Sequence, residues 1–107
     1  MAGAVTSRFG MRTHPITGRR AFHDGIDFGA PCGTPVYSVA AGTVKSARWD
    51  GGYGIRVVIN HAGNRGSAYA HLSKAEVRAG SKVKRGQRIG LVGTTGRSTG
   101  CHLHFMS

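Results

Sequence analysis

Two short segments gather metal-binding side chains at the spacing of a strand. His23-Asp24-Gly25-Ile26-Asp27 sets a histidine and an aspartate at i and i+4, and His102-Leu103-His104 sets two histidines at i and i+2. Alternate residues of a strand share a face, so His23, Gly25 and Asp27 point one way, and so do His102 and His104. Gly25 leaves room between its neighbours for an ion. Two neutral imidazoles and one carboxylate suit zinc, and three protein ligands leave a fourth position for water, as in catalytic rather than structural zinc sites. Zinc lowers the pKa of a bound water to about 7, which makes a nucleophile near neutral pH. A further histidine lies in Tyr69-Ala70-His71-Leu72-Ser73. Either pair alone is weak, since a single His-x-x-x-Asp is more often turn chemistry. The pairs together with His71 make a metal site the better reading.

The elements that must hold these residues are short strands. The sequence predicts strands over His23–Phe28, Pro35–Ala40, Gly42–Arg48, Gly54–Asn60, Ser67–His71 and Gln87–Gly93, and a last one carrying Leu103 and Phe105. Val57, Val58 and Ile59 are β-branched strand formers. Asp50-Gly51-Gly52 and Ala62-Gly63-Asn64 read as hairpin turns. Residues 4–22 read as an irregular, basic, turn-rich stretch, with His14-Pro15 biased to extended backbone. Ser73–Val77 reads as one helical turn. The expectation is a mostly β fold, a single small domain of antiparallel sheet with glycine-rich turns and little helix. Ile26, Leu103 and Phe105, on the face opposite the ligands, would pack the core beneath the site. The sequence given ends three residues after His104, so the closing strand is expected to be cut short, with a terminal edge either frayed or completed by further sequence.

Composition narrows the classes. The chain has 107 residues, 18 of them glycine, and a formal net charge of +11 with four acidic residues, Asp24, Asp27, Asp50 and Glu76. Such a surface attracts polyanions. The basic residues are scattered and no aromatic run accompanies them, so nucleic-acid recognition has only charge in its favour. The alternative to recognition is a solvated basic surface. No segment is apolar and long enough to span a membrane, and the opening residues show no signal-peptide pattern. Cys32 and Cys101 fit free thiols, metal ligands or one disulfide. Trp49, Tyr53 and Tyr69 fit either a substrate groove or ordinary packing.

The motifs His23-x-x-x-Asp27, Tyr69-Ala70-His71-Leu72-Ser73 and His102-Leu103-His104-Phe105, in this order, resemble those of the lysostaphin/LytM-type zinc endopeptidases, which are related to the barrel-sandwich hybrid fold. Gly33-Thr34-Pro35-Val36, Gly42-Thr43-Val44, Val83-Lys84-Arg85-Gly86-Gln87 and Ser98-Thr99-Gly100 add to the likeness, which runs from about Ser7 to Phe105. The resemblance implies one Zn²⁺ per chain, held by His23, Asp27 and His104. It implies His71 and His102 as catalytic histidines that orient or deprotonate the attacking water and stabilise the developing oxyanion. Which of the two takes the proton is not legible. It also makes His14 a candidate donor to the oxyanion, against an ordinary exposed loop histidine. His61 reads as a strand-end residue without a catalytic role.

The implied activity is hydrolysis of peptide bonds in the stem or cross-bridge peptides of bacterial peptidoglycan. The implied setting is extracellular, in the cell wall or periplasm, or phage-delivered. Peptidoglycan peptides are the expected partner, anionic cell-wall polymers a further one, and the protein is expected to be monomeric. Two departures stand out. The family continues past His-Leu-His-Phe with further strand, so residues 1–107 are expected to be one catalytic domain lacking part of its C-terminal strand. Cys101 takes a position where many relatives have proline. By strand parity its side chain points away from the metal, and Cys32 and Cys101 both flank the site, so a bridge and two buried thiols both remain open.

A basic nucleic-acid-binding β domain has only charge in its favour, and two further rivals fall short. A catalytically inactive LytM-like wall-binding or regulatory module should lack a ligand, yet the full set is present. A biotinyl/lipoyl-like carrier shares glycine-punctuated strands but needs a lysine on a Met-Lys-Met-like hairpin, which is missing. Gly93-Thr94-Thr95-Gly96 lacks the Gly-Lys-Ser/Thr ending of a phosphate loop, so a nucleotide site is rejected.

Overall fold

A computed structural model describes residues 4–8 (backbone), 25–96, 98 and 100–107. His14, His23 and Asp24 lie outside the described residues. The described elements are β1 (Ala4–Arg8), β2 (Gly25–Gly29), β3 (Pro35–Tyr37), β4 (Gly42–Trp49), a 3₁₀ turn (Gly51–Tyr53), β5 (Ile55–His61), β6 (Arg65–Ala75), β7 (Lys82–Val83), β8 (Arg88–Val92) and β9 (His102–Met106). All strand pairs are antiparallel, in the order β1-β2-β9-β6-β5-β4-β7, and β8 joins β6 to β3. The fold is mostly β with almost no helix, as expected. Among the described residues no helix is long and apolar enough to cross a membrane.

The core follows from strand parity. Val57, Ile59, Tyr69, Leu72 and Leu103 are fully or nearly fully buried in one cluster with Val36 and Ile89 from the β3–β8 pair. Val58 lies on the other face of β5, in a second buried cluster with Ala68, Ala70 and Met106. Covering both faces of β5 explains its unbroken Val-Val-Ile run, since a strand buried on both sides need not alternate. Phe28 and Phe105 pack against the main cluster. Ile26, expected there, stays half-buried outside it.

Two expectations are corrected. The helical turn at Ser73–Val77 does not form. β6 instead runs on to Ala75, because Lys74 and Ala75 pair with Leu91 and Gly90 of β8. Cross-strand bonding here outweighs the helix propensity of Lys74-Ala75-Glu76. Residues 4–8, read as irregular, form β1 against β2. The closing strand β9 is an inner strand, paired to β2 on one side and β6 on the other.

Candidate active site

The site grows from one row across three strands. Asp27 of β2 faces His104 of β9, and His104 faces Ala70 of β6. His102 lies two residues before His104, on the same face. Asp27 Oδ1 is 2.5 Å from His104 Nδ1 and 3.7 Å from His102 Nε2. The three side chains are 15–22% exposed, so they are open to a substrate but partly withdrawn from water.

His71 reaches this cluster through a break in β6. Val57 pairs with Tyr69 but Ile55 pairs with Leu72, so β6 bulges between those pairs. Within the bulge His71 has φ +60°, a left-handed conformation uncommon outside glycine. Regular alternation would put Leu72 on the face of Ala70 and His71 in the core. Leu72 is instead in the core, and the His71 ring lies 4.9 Å from His102 and 6.0 Å from His104, centroid to centroid. A bulge that re-aims one side chain is a recurrent device beside active sites. β6 also changes neighbour here, from β9 up to Ala70 to β8 from Leu72 onward.

Backbone carbonyls set the ring states. A carbonyl only accepts, so His71 Nδ1–H donates to Thr95 O at 2.7 Å, and His102 Nδ1–H donates to Gly100 O at 2.9 Å. In the neutral forms each ring therefore carries its lone pair on Nε2. Burial above all pushes the His71 pKa below the usual histidine range. The adjacent His102 and His104 imidazoles add to this, and the Thr95 carbonyl and Asp27 oppose it. His71 thus keeps its basic form at neutral pH.

The donor set fits zinc. A carboxylate oxygen and an imidazole nitrogen already converge within hydrogen-bond distance, with a second imidazole nitrogen beside them, and these are the ligand types zinc takes. Among the described residues no group of three or more His, Cys, Asp or Glu is by itself arranged to hold a metal ion. The remaining expected ligand, His23, lies outside them, as does His14.

Other expectations sort out by packing. Tyr69 is core: it is fully buried, and its hydroxyl takes the Val39 N–H at 3.0 Å and lies 3.0 Å from Ser67 Oγ. His61 closes β5 opposite Arg65 and bonds Ala41 O and Ser67 Oγ, both at 2.7 Å. Trp49 is exposed. Tyr53 stacks beside His104 at 6.3 Å, with the Arg56 guanidinium 4.5 Å over its ring and Arg56 paired to Asp50 at 2.6 Å. Tyr53 therefore forms a wall of the site, held in place across the hairpin. Thr95, which carries the His71 contact, was not singled out in the sequence. Its signal was the Gly93-x-x-Gly96 phrase, weighed there only as a phosphate loop.

Cys32 and Cys101 form a disulfide with Cα atoms 5.1 Å apart. It joins the turn after β2 to the start of β9, alongside the Gly29–His102 pair.

Comparison with known proteins agrees with this architecture. The profile of peptidase family M23 matches residues 21–107. The peptidoglycan DD-endopeptidase ShyA of Vibrio cholerae is 52% identical over 94 residues, 88% of this chain and 22% of ShyA. The crystal structure of a zinc containing peptidase from Vibrio cholerae superposes with TM-score 0.80 at 45% identity, over 96% of this chain and 32% of that one. The catalytic domain of lysostaphin from Staphylococcus simulans gives TM-score 0.75 at 41% identity, over 78% of this chain and 64% of that one. The chain spans about a fifth of the length of ShyA. With most of its length matched by the family profile and its fold shared with these peptidases, the chain belongs to peptidase family M23.

Proposed function

We propose that this chain is a zinc-dependent endopeptidase that hydrolyses peptide bonds in the stem or cross-bridge peptides of bacterial peptidoglycan. The observation that carries the reading is the convergence of Asp27, His104, His102 and His71 on one face, with both outer imidazoles pinned through Nδ1 to carbonyls. Asp27, His104 and His23 would hold the zinc, which when bound polarises a water or a scissile carbonyl. In their neutral forms His71 and His102 each present the Nε2 lone pair, suited to accept a proton from the attacking water and return it to the leaving amine. Once protonated, the same imidazoles stabilise the developing oxyanion. Tyr53 and the β4–β5 hairpin give the peptide a wall to lie against. His14 is assigned as a further donor to the oxyanion.

The protein works as a monomer outside the cytoplasm, in the cell wall or periplasm or delivered by a phage, where a disulfide persists. Residues 1–107 constitute one catalytic domain.

The test is to incubate the zinc-loaded chain with purified peptidoglycan and identify released fragments by mass spectrometry. Because ShyA is named a DD-endopeptidase, the expected first product is monomer released from cross-linked dimers, abolished by a chelator and restored by zinc. A folded, zinc-loaded chain that releases nothing from several wall types would favour the non-catalytic wall-binding module. The +11 surface is assigned to anionic wall polymers. Binding to isolated walls should weaken as salt rises and the Debye length shrinks to about 8 Å near physiological ionic strength. Salt-independent binding would assign those cations to solvation alone.

A further inference from the structure

We propose that Thr95 is a positioning residue that sets the aim and tautomer of His71; this rests on the reading of His71 as catalytic. A histidine at φ +60° inside a bulge persists only where its surroundings over-determine it. Thr95 supplies three of the constraints. Its carbonyl accepts the His71 Nδ1–H at 2.7 Å. Its hydroxyl donates to Leu72 O at 2.6 Å and accepts the Ile55 N–H at 3.0 Å. Ile55 and Leu72 are the register partners on the far side of the bulge, so the hydroxyl bridges the two strands where the ladder is disturbed. Only a group that both donates and accepts can do this, which selects a hydroxyl.

Thr95 is itself wedged in place. A Cβ on Gly54 would lie 2.3 Å from the Thr95 carbonyl carbon, and one on Gly96 would lie 2.3 Å from Gly54 N. Both glycines have positive φ, +67° and +76°, so the Thr94–Gly96 backbone presses on the β4–β5 hairpin with no room for a side chain at either contact. The β8–β9 connection, the hairpin and the β6 bulge thus meet at one threonine. Its carbonyl cannot shift without moving the imidazole it holds. Hydrogen-bond partners that fix the tautomer and orientation of histidines at metal sites typically matter by about 10–100-fold, and the same magnitude is expected here.

Three measurements on the 107-residue chain decide the proposal. ¹⁵N NMR of the wild-type protein should find neutral His71 protonated on Nδ1; protonation on Nε2 overturns the proposal without any variant. Thr95→Val keeps the shape and loses both hydroxyl bonds. With a soluble cross-linked muropeptide dimer as probe, kcat should fall about 10–100-fold, with KM and zinc content unchanged and the His71 tautomer signal broadened or mixed. Thr95→Ser should restore most of the turnover, which a purely steric role for the methyl would not allow. Wild-type kcat and tautomer in Thr95→Val, while His71→Ala is inactive, would overturn the proposal and leave the catalytic reading standing. A fully active His71→Ala would sink the catalytic reading instead.

Discussion

His71→Ala and His102→Ala should each lower turnover by about 10²–10⁴-fold, the usual worth of a general acid–base group, while the protein still binds one zinc. Asp27→Ala and His104→Ala should lose the metal first and activity as a consequence. The geometry separates the two classes. Asp27 and His104 meet at 2.5 Å on one row of the sheet, so removing either leaves the other without its partner in ligation. His71 and His102 spend Nδ1 on Thr95 and Gly100 carbonyls, so deleting their rings removes a base and leaves the ligand pair intact. The double variant His71→Ala/His102→Ala should be little worse than the weaker single, because groups that act on one proton transfer are strongly non-additive. Elemental analysis alongside turnover makes the comparison. Zinc-replete single variants that both hydrolyse at near wild-type rate would show the roles to be misassigned. Zinc loss in His71→Ala would make His71 a ligand.

How far this site could be read from sequence depends on whether the controlling interaction is local. The parity of His102-Leu103-His104 is a property of any strand, and β9 does bury Leu103 while keeping both histidines on the other face. Parity fails for Tyr69-Ala70-His71-Leu72. Two-residue alternation puts Tyr69 and His71 together in the core, yet only Tyr69 is there. The family resemblance supplied a role for His71 but not the bulge that aims it. That bulge depends on Ile55 and Thr95, sixteen and twenty-four residues away in the chain. Ser73–Val77 failed for a related reason: Lys74-Ala75-Glu76 has helix-forming residues, and pairing with a distant strand overrode them. The inner position of β9 was likewise invisible, since it is set by β2 and β6 closing on it from both sides. Gly54 and Gly96 could be seen as turn formers, but not as the contact that seats Thr95.

Removing the Cys32–Cys101 bridge should cost the most stability of any change outside the site. The cysteines are 69 residues apart in sequence. The chain-entropy model assigns a loop of that length about 4 kcal/mol, a large part of the roughly 5–15 kcal/mol that holds a typical domain together. At about 4–8 °C per kcal/mol for a domain near this size, Cys32→Ser/Cys101→Ser should melt about 15–30 °C lower. Both cysteines are exposed, so a reductant should reach the bond in the folded protein and produce the same shift. The bridge also lies beside the Gly29–His102 pair, between the strand carrying Asp27 and the strand carrying His104. Loosening it should let those strands separate at one end, so zinc should dissociate faster from the double-serine variant. Comparing the two proteins at temperatures equally far below their own melting points separates this local effect from global unfolding. Faster zinc loss under that matched condition means the bridge clamps the ligand strands directly. Equal rates would confine its effect to the unfolded chain. Two titratable thiols in the unfolded, unreduced, air-exposed protein, or a double-serine variant melting within a degree or two of wild type, would remove the bridge from the account.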